Sequence, residues 1–168
     1  MNTRKLTLSA LLLASDVLLT RVLAFNTPLM KIGLGFAAVA ICARLYGAPW
    51  AALVAALGDI LGSVLFPTGA YFPGFTLTAA LTGLLFGLCL HGGRQHWFRP
   101  ILAAVLNCVL ISYLANSAMI AFITGNSYRS MLAARAVQLT VMLPLQSLVL
   151  LWLNRSGFIR RLIEHAQQ

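Results

Sequence analysis

The stretch WAALVAALGDILGSVLF (residues 50–66) is followed by a short connection, PTGAYFPG (67–74), and by a second apolar run, FTLTAALTGLLFGLCL (75–90). Each run approaches the ~20 apolar residues that a helix needs to cross a bilayer. Over the whole chain 60% of the residues are hydrophobic and 9% are charged, whereas soluble domains carry roughly 25% charged residues. The 168-residue chain is therefore predicted to be an integral membrane protein.

The remaining apolar segments complete a pattern of six predicted spans: residues 6–25, 33–46, 50–66, 75–90, 98–123 and 131–153. The basic start at Arg4 and Lys5 also resembles a signal peptide. However, Ser15 and Asp16 interrupt the first run, and no clear small-x-small cleavage site follows it, which favours a retained first span. We predict one all-α domain, residues 1–168, built as a bundle of six transmembrane helices.

The basic residues test this topology, because cytoplasmic loops of membrane proteins are enriched in Lys and Arg. Six spans put both termini on one side, and that side holds eight basic residues: Arg4, Lys5, Arg44, Arg94, Arg99, Arg155, Arg160 and Arg161. The opposite side holds only Lys31 and Arg129. The asymmetry predicts cytoplasmic N- and C-termini and places residues 67–74 outside. It also accounts for the net charge of +9 without nucleic acid, whose phosphates require a solvated basic face.

Two arginines, Arg21 and Arg135, fall inside apolar segments near the predicted outer ends of spans one and six. Intramembrane charges are normally paired, bound to a ligand or extended to the interface. In one interpretation, Arg21 pairs with Asp16 or Asp59, and Arg135 snorkels to the interface. In the other, both guanidinium groups converge on an anionic ligand from outside, since their geometry suits carboxylates. The two aspartates are interpreted as a structural group, with a proton relay as the alternative.

The outer connection combines aromatic residues with fixed backbone geometry. Tyr71, Phe72 and Phe75 surround Pro73 and Gly74, and such a segment builds a shaped pocket wall more readily than a plain turn. The alternative is an interfacial aromatic belt, although a belt does not require a Pro-Gly pair. We therefore predict a ligand site at this connection.

Enzyme motifs are absent from the sequence. It contains no phosphate-binding G-x-x-x-x-G-K-[ST], no H-E-x-x-H and no G-x-S-x-G. Cys42, Cys89 and Cys108 lack metal-ligand spacing and are interpreted as packing residues. We expect a binding protein that is not an enzyme and uses neither a metal nor another cofactor.

Small residues recur at intervals of four, which lets helix backbones approach closely. The pairs are Ala10 and Ala14, Gly58 and Gly62, and Gly83 and Gly87. The two glycine pairs are predicted to pack inside the bundle. The alanine pair lies near the cytoplasmic end of span one, where a partner is predicted to dock.

Three features together carry a resemblance to a known family. They are the alanine-spaced first helix ending in Leu19-Thr20-Arg21, the block GAPWAALVAALGDILG (47–62), and the loop FPTGAYFPGFT (66–76). The chain resembles the folate-family substrate-binding subunits, or S components, of energy-coupling factor (ECF) vitamin transporters. The next position in register after Ala14 is Leu18, which shortens the small-residue face.

The resemblance implies a subunit of the bacterial plasma membrane that captures folate outside the cell. Through Ala10 and Ala14, it would dock on an ECF transmembrane coupling protein that works with two ATPase subunits. Residues 25–35 would form a lid over the ligand.

Folate-like chemistry then suggests roles for individual residues. Tyr71, Phe72 and Phe75 would stack on the flat pterin ring, and its polar edge would meet Thr76 or Gln138, or else Thr78 or Asn116. The carboxylates of the tail would be neutralised by a basic residue: Arg21, Lys31 or Arg135. The alternatives are an S component for another vitamin or precursor, a self-sufficient proton-coupled transporter using the aspartates, and a non-transporting scaffold.

Overall fold

The computed structural model describes residues 3–26, 31–67, 71–92 and 96–156. Within them the chain forms six helices, as predicted. Helix α1 (Thr3–Val17) continues into a π-helical turn (Leu18–Val22). The others are α2 (Gly35–Tyr46), α3 (Ala48–Leu65), α4 (Pro73–Leu90), α5 (Phe98–Thr124) and α6 (Tyr128–Arg155). Helix α1 packs on α2 and α3, α2 also contacts α4 and α6, and α5 packs against α4 and α6.

Four of these helices, α3 to α6, are long and apolar enough to cross a membrane. Helix α2 has 12 residues, about 18 Å at 1.5 Å per residue, which is short of the ~30 Å hydrocarbon core. The chain is a multi-pass membrane protein in which α2 spans only part of the bilayer thickness.

The connection from α1 to α2 adds two short strands to the helical bundle. Strand β1 (Phe25–Asn26) pairs antiparallel with β2 (Lys31–Ile32), with Phe25 opposite Ile32. The π-helical turn that continues α1 ends at Val22, three residues before the predicted end of the first span, and Phe25 begins the strand pair. Two-residue strands produce too little alternation to be visible in a sequence.

Both predicted glycine pairs pack helices together. A Cβ on Gly83 would lie 2.5 Å from the Ala51 carbonyl oxygen, and one on Gly87 would overlap the Ala48 backbone, so α3 and α4 touch along their inner halves. Gly58 and Gly62 of α3 instead face the side chains of α1. The glycines allow α3 to pack closely on two neighbours.

Two irregularities interrupt the last two helices. Residues Asn107–Ala115 of α5 are π-helical, and Pro144 lies inside α6. A π-helical segment changes which side chains face inward, and here Asn107, Cys108 and Ile111 are all buried. The proline removes one backbone donor from α6. Neither helix is therefore regular where the two pack together.

Candidate ligand-binding site

Two polar groups lie toward the outer ends of the helices, one on each side of α4. The first joins α1, α3 and α4, and the second joins α5 and α6. Thr76 belongs to the first group. Thr78 contacts Asn116 of α5, which precedes Ser117, a member of the second group. The two threonines are separated by about 200° around the helix, so α4 presents one hydroxyl to each side.

The first group is centred on Asp59 of α3. Its Oδ1 lies 3.4 Å from Nη2 of Arg21, and its Oδ2 accepts a hydrogen bond of 2.8 Å from the Thr76 hydroxyl. The Tyr71 hydroxyl lies 2.9 Å from Thr76 Oγ1. Arg21 and Asp59 are 10% and 16% exposed. The ion-pair interpretation of Arg21 is confirmed, with Asp59 as its partner.

Asp16, the other aspartate, packs at the interface of α1 with α2 and α3. Its Oδ1 accepts a hydrogen bond of 3.0 Å from Thr20. A Cβ on Gly58 would lie 2.5 Å from its Oδ2, and one on Gly35 would lie 2.7 Å from its Oδ1. These contacts fit the structural interpretation, because both glycines are needed to accommodate the carboxylate between the helices.

The second group is centred on Arg135 of α6, which is only 4% exposed. Its Nε donates to Gln138 Oε1 at 3.1 Å, and its Nη1 donates to Ser117 Oγ at 3.4 Å. The snorkelling interpretation is wrong, because the side chain turns inward, where α5 supplies a hydroxyl acceptor. In the described part of the chain both partners are neutral and no carboxylate pairs with this guanidinium.

Helix α4 is tied to this second group through one further hydrogen bond. The Thr78 hydroxyl lies 2.9 Å from Asn116 Oδ1, beside Ser117 in the sequence. The structure thus brings together Thr78 and Asn116, two of the predicted polar residues. It does not bring Arg21 and Arg135 onto one shared partner: each belongs to a different group.

The aromatic residues of the outer connection form a packed cluster. The Phe72 ring lies edge-on to Phe75 with centroids 6.1 Å apart, and 6.4 Å from the ring of Phe122 on α5. Gly74 is required here, because a Cβ would lie 2.8 Å from Met119 Sδ and would overlap the Phe72 ring. Sequence reasoning missed Met119 and Phe122, whose position depends on how α5 packs.

The predicted lid lies partly within the described residues. The backbone of Lys31 lies in β2, but its side chain is not among the parts of the chain that the structure describes. Residues 27–30 lie outside the described residues. Strand β2 contacts α6, the helix that carries Arg135. Strand β2 therefore meets the bundle at α6.

A cavity opens beside Arg135, with an empty volume of ≈190 Å³ that includes its solvent-open part. It lies between α5 and α6, and its lining residues are Cys108, Ser112, Tyr113, Arg135, Gln138, Leu139 and Met142. Sequence reasoning found only the arginine and the glutamine. The others lie on the π-helical stretch of α5 or on apolar positions of α6, which no motif distinguishes.

A buried polar chain continues inward from this cavity. Thr82 donates to Asn107 Oδ1 at 2.9 Å, and Gln146 Oε1 accepts from Asn107 Nδ2 at 3.3 Å and from Cys108 Sγ at 2.7 Å. Gln146 is 1% exposed, and its Nε2 has no partner within the described residues. The π-helical register places Asn107 and Cys108 on the same glutamine.

The predicted docking residues lie on the exposed face of α1, which points away from the rest of the bundle. Ala10 and Ala14 are both exposed on α1, and Leu18, next in register, is 52% exposed. The opposite side of α1 is buried through Ser9, Leu12 and Asp16. The alanine face is therefore not used for packing within the bundle, unlike the two glycine pairs.

Comparison with known proteins identifies the family. Residues 1–151 match the family described as "ECF-type riboflavin transporter, S component". The chain belongs to the S components of ECF-type transporters. It is thus a substrate-binding membrane subunit of a transporter and not an enzyme.

Individual relatives of this S component are folate transporters. It is 32% identical to the folate transporter FolT of Clostridium novyi (strain NT) over 141 residues, 84% of this chain and 82% of the relative. It is 29% identical over 152 residues to FolT of Leuconostoc mesenteroides subsp. mesenteroides, covering 87% and 82%. A crystal structure of FolT bound with folic acid superposes with a TM-score of 0.86 at 28% identity, covering 93% of this chain and 94% of that one.

Proposed function

We propose that this S component binds folate on the outer side of a bacterial plasma membrane and passes it to an ECF coupling module. The observation that carries the proposal is the burial of Arg135 beside the cavity, with neutral partners in the described residues. A buried charge without a counter-charge is costly. A ligand carboxylate would supply the missing charge, and folate carries two of them.

The charge of Arg135 also favours folate over riboflavin, the vitamin in the family description. Riboflavin is uncharged at neutral pH, so it would leave the guanidinium without an anion. The relatives named above are folate transporters, and one of them is the structure with folic acid. Ligand chemistry and relatives therefore support the same vitamin.

The predicted residues then divide by role. Arg135 and Gln138 would hold the anionic end of the ligand, and Lys31 on the lid would meet a second carboxylate. Phe72 and Phe75 would offer their faces to the flat ring.

The first polar group would shape the wall rather than neutralise the ligand. Arg21 is already paired with Asp59, and Thr76 joins that pair to Tyr71. This arrangement favours a structural role for Asp59 over the proton-coupled alternative, because both of its carboxylate oxygens are already engaged, one by Arg21 and the other by Thr76.

Folate needs more room than the cavity offers in this conformation. Pockets for drug-sized ligands enclose roughly 300–1,000 Å³, whereas this cavity is small and partly open to solvent. Tyr71, in the connection before α4, is 52% exposed. We infer that folate binding widens the outer end of the α5–α6 cavity.

The coupling module would consist of one transmembrane protein and two ATPases, docked on the Ala10–Ala14 face. Two observations support this assignment: membership of the S-component family and exposure of both alanines. Small residues let a partner helix approach closely.

Titration of the purified protein with folic acid and with riboflavin tests the proposal. We expect saturable, one-to-one binding of folic acid and no binding of riboflavin. Isothermal titration calorimetry in detergent measures both. Binding of riboflavin alone would overturn the ligand assignment. Sustained folate uptake by proteoliposomes containing this protein alone would overturn the dependence on a coupling module.

A further inference from the structure

The inner end of the bundle holds a second arrangement of charge and aromatic rings, unrelated to the folate site. The Lys5 ammonium of α1 lies 4.2 Å from the centroid of the Trp50 ring and 5.2 Å from that of the Tyr46 ring. Trp50 Nε1 donates to Ser9 Oγ at 2.7 Å. The ammonium therefore sits where the start of α1 meets the junction of α2 and α3.

This ammonium has ring contacts but no acceptor within the described part of the chain. It carries three N–H donors, and no hydrogen bond or ion pair is formed by them there. Within the described residues, the Tyr46 hydroxyl is also buried without a partner. Cation–π contacts hold the charge in place, and the described residues leave its N–H groups available to an external acceptor.

An exposed apolar stripe runs outward from this point along α3. Leu53, Leu57, Leu61 and Val64 follow Trp50 at helical spacing, and they are 51%, 42%, 41% and 73% exposed. The adjoining face of α3 carries Gly58 and Gly62, which contact α1. The stripe therefore borders the α1–α3 contact and leads from the ammonium toward the membrane interior.

We propose that Lys5, held over the rings of Trp50 and Tyr46, binds the headgroup phosphate of an anionic phospholipid, with an acyl chain along the Leu53–Val64 stripe of α3. The basic terminal end of the bundle faces the cytoplasm by the distribution of charge, and anionic lipids are attracted to juxtamembrane Lys and Arg there. Lys5 lies nearly opposite Ala14 around α1. Lipid binding thus leaves the docking face uncovered.

Arg4 supplies a matched control for this site. It precedes Lys5 on α1, carries the same charge and is exposed, and no cation–π contact is formed by it among the described residues. Lys5→Gln removes the charge held over the rings, Arg4→Gln removes an equal charge beside it, and Lys5→Arg restores a cation. Generic attraction to an anionic surface would respond equally to the first two substitutions.

Native mass spectrometry of the delipidated protein with phosphatidylglycerol and phosphatidylcholine of identical acyl chains tests the proposal. We expect wild type, Arg4→Gln and Lys5→Arg to retain phosphatidylglycerol about tenfold better, the scale of one charge-assisted hydrogen bond. Lys5→Gln should bind both lipids equally. The site would be overturned if Arg4→Gln lost the phosphatidylglycerol preference as fully as Lys5→Gln does, or if wild type retained both lipids equally.

Two further measurements keep the result interpretable. Inorganic phosphate should not displace the lipid, whereas displacement would identify a free-phosphate site and overturn the lipid assignment. Leu57→Asn should reduce retention of both lipids by several-fold, because it places a polar group on the proposed acyl path. Retention unchanged by Leu57→Asn would contradict that path even if Lys5→Gln misfolds.

Discussion

Arg21 and Asp59 form an ion pair that joins α1 to α3, with Nη2 and Oδ1 3.4 Å apart. The same carboxylate accepts a hydrogen bond from Thr76 of α4, which in turn contacts Tyr71. The helix proposed to dock on the coupling protein is therefore connected through one carboxylate to the outer loop proposed to enclose the ligand. Gly62 permits the contact, because a Cβ there would lie 2.9 Å from Arg21 Nε.

Breaking the pair from one side should destabilise the protein more than removing both charges. Arg21→Met leaves Asp59 largely buried without its cation, at a cost of about 3 kcal/mol. The double variant Arg21→Met/Asp59→Asn keeps an acceptor for Thr76 and should recover part of that loss. Thermal unfolding in detergent measures the cycle; strictly additive effects would contradict a direct interaction.

Arg135→Gln should weaken folic acid binding by roughly tenfold to a hundredfold, the scale of one charge-assisted contact. The substitution keeps a polar side chain at this position but removes the charge. Arg129→Gln, an exposed position on the same helix, serves as the control and should bind as wild type does. Calorimetric titration of both variants provides the comparison. Equal affinities would remove Arg135 from the site.

The close approach of α3 and α4 predicts a strong effect at Gly83. Gly83→Ala places a methyl group 2.5 Å from the Ala51 carbonyl oxygen, and the backbone must shift, at a cost of about 1–3 kcal/mol. Leu88→Ala on the same helix is the control, because Leu88 is 75% exposed. Melting temperatures should fall for the first variant and stay near wild type for the second. A reversed order would contradict the packing.

The sequence predicted the bundle well because the lengths of the apolar segments and the distribution of Lys and Arg between the loops can be read directly from the sequence. Six helices follow from the runs, and the glycine spacing correctly indicated which faces pack. The sequence left two candidate partners for Arg21, Asp16 and Asp59, because the choice between them depends on how α1 packs on α3. The inward turn of Arg135 likewise depends on a hydroxyl from another helix.

The π-helical stretch of α5 was not predictable for a different reason. Residues 107–115 belong to one predicted span with no Pro or Gly to interrupt it, and a local change to π-helical hydrogen bonding has no recognisable sequence motif here. That register places Cys108 against Gln146 and beside the cavity. The α5 residues that form the inner wall of the candidate site could therefore not be predicted from the sequence. The arginine and the aromatic loop of the site could be.

Ala14→Trp should abolish folate uptake while leaving folate affinity unchanged. Ala14 lies on the exposed face of α1, away from both polar groups of the candidate site, so a large ring there obstructs a docking helix without disturbing the ligand. Leu88→Trp is the matched control, because Leu88 is an exposed apolar position on another helix. Uptake is measured in cells that also produce the coupling module, and affinity by calorimetry on the purified variants. If Ala14→Trp loses uptake and affinity together, misfolding explains the result; if it transports normally, the alanine face is not the docking surface.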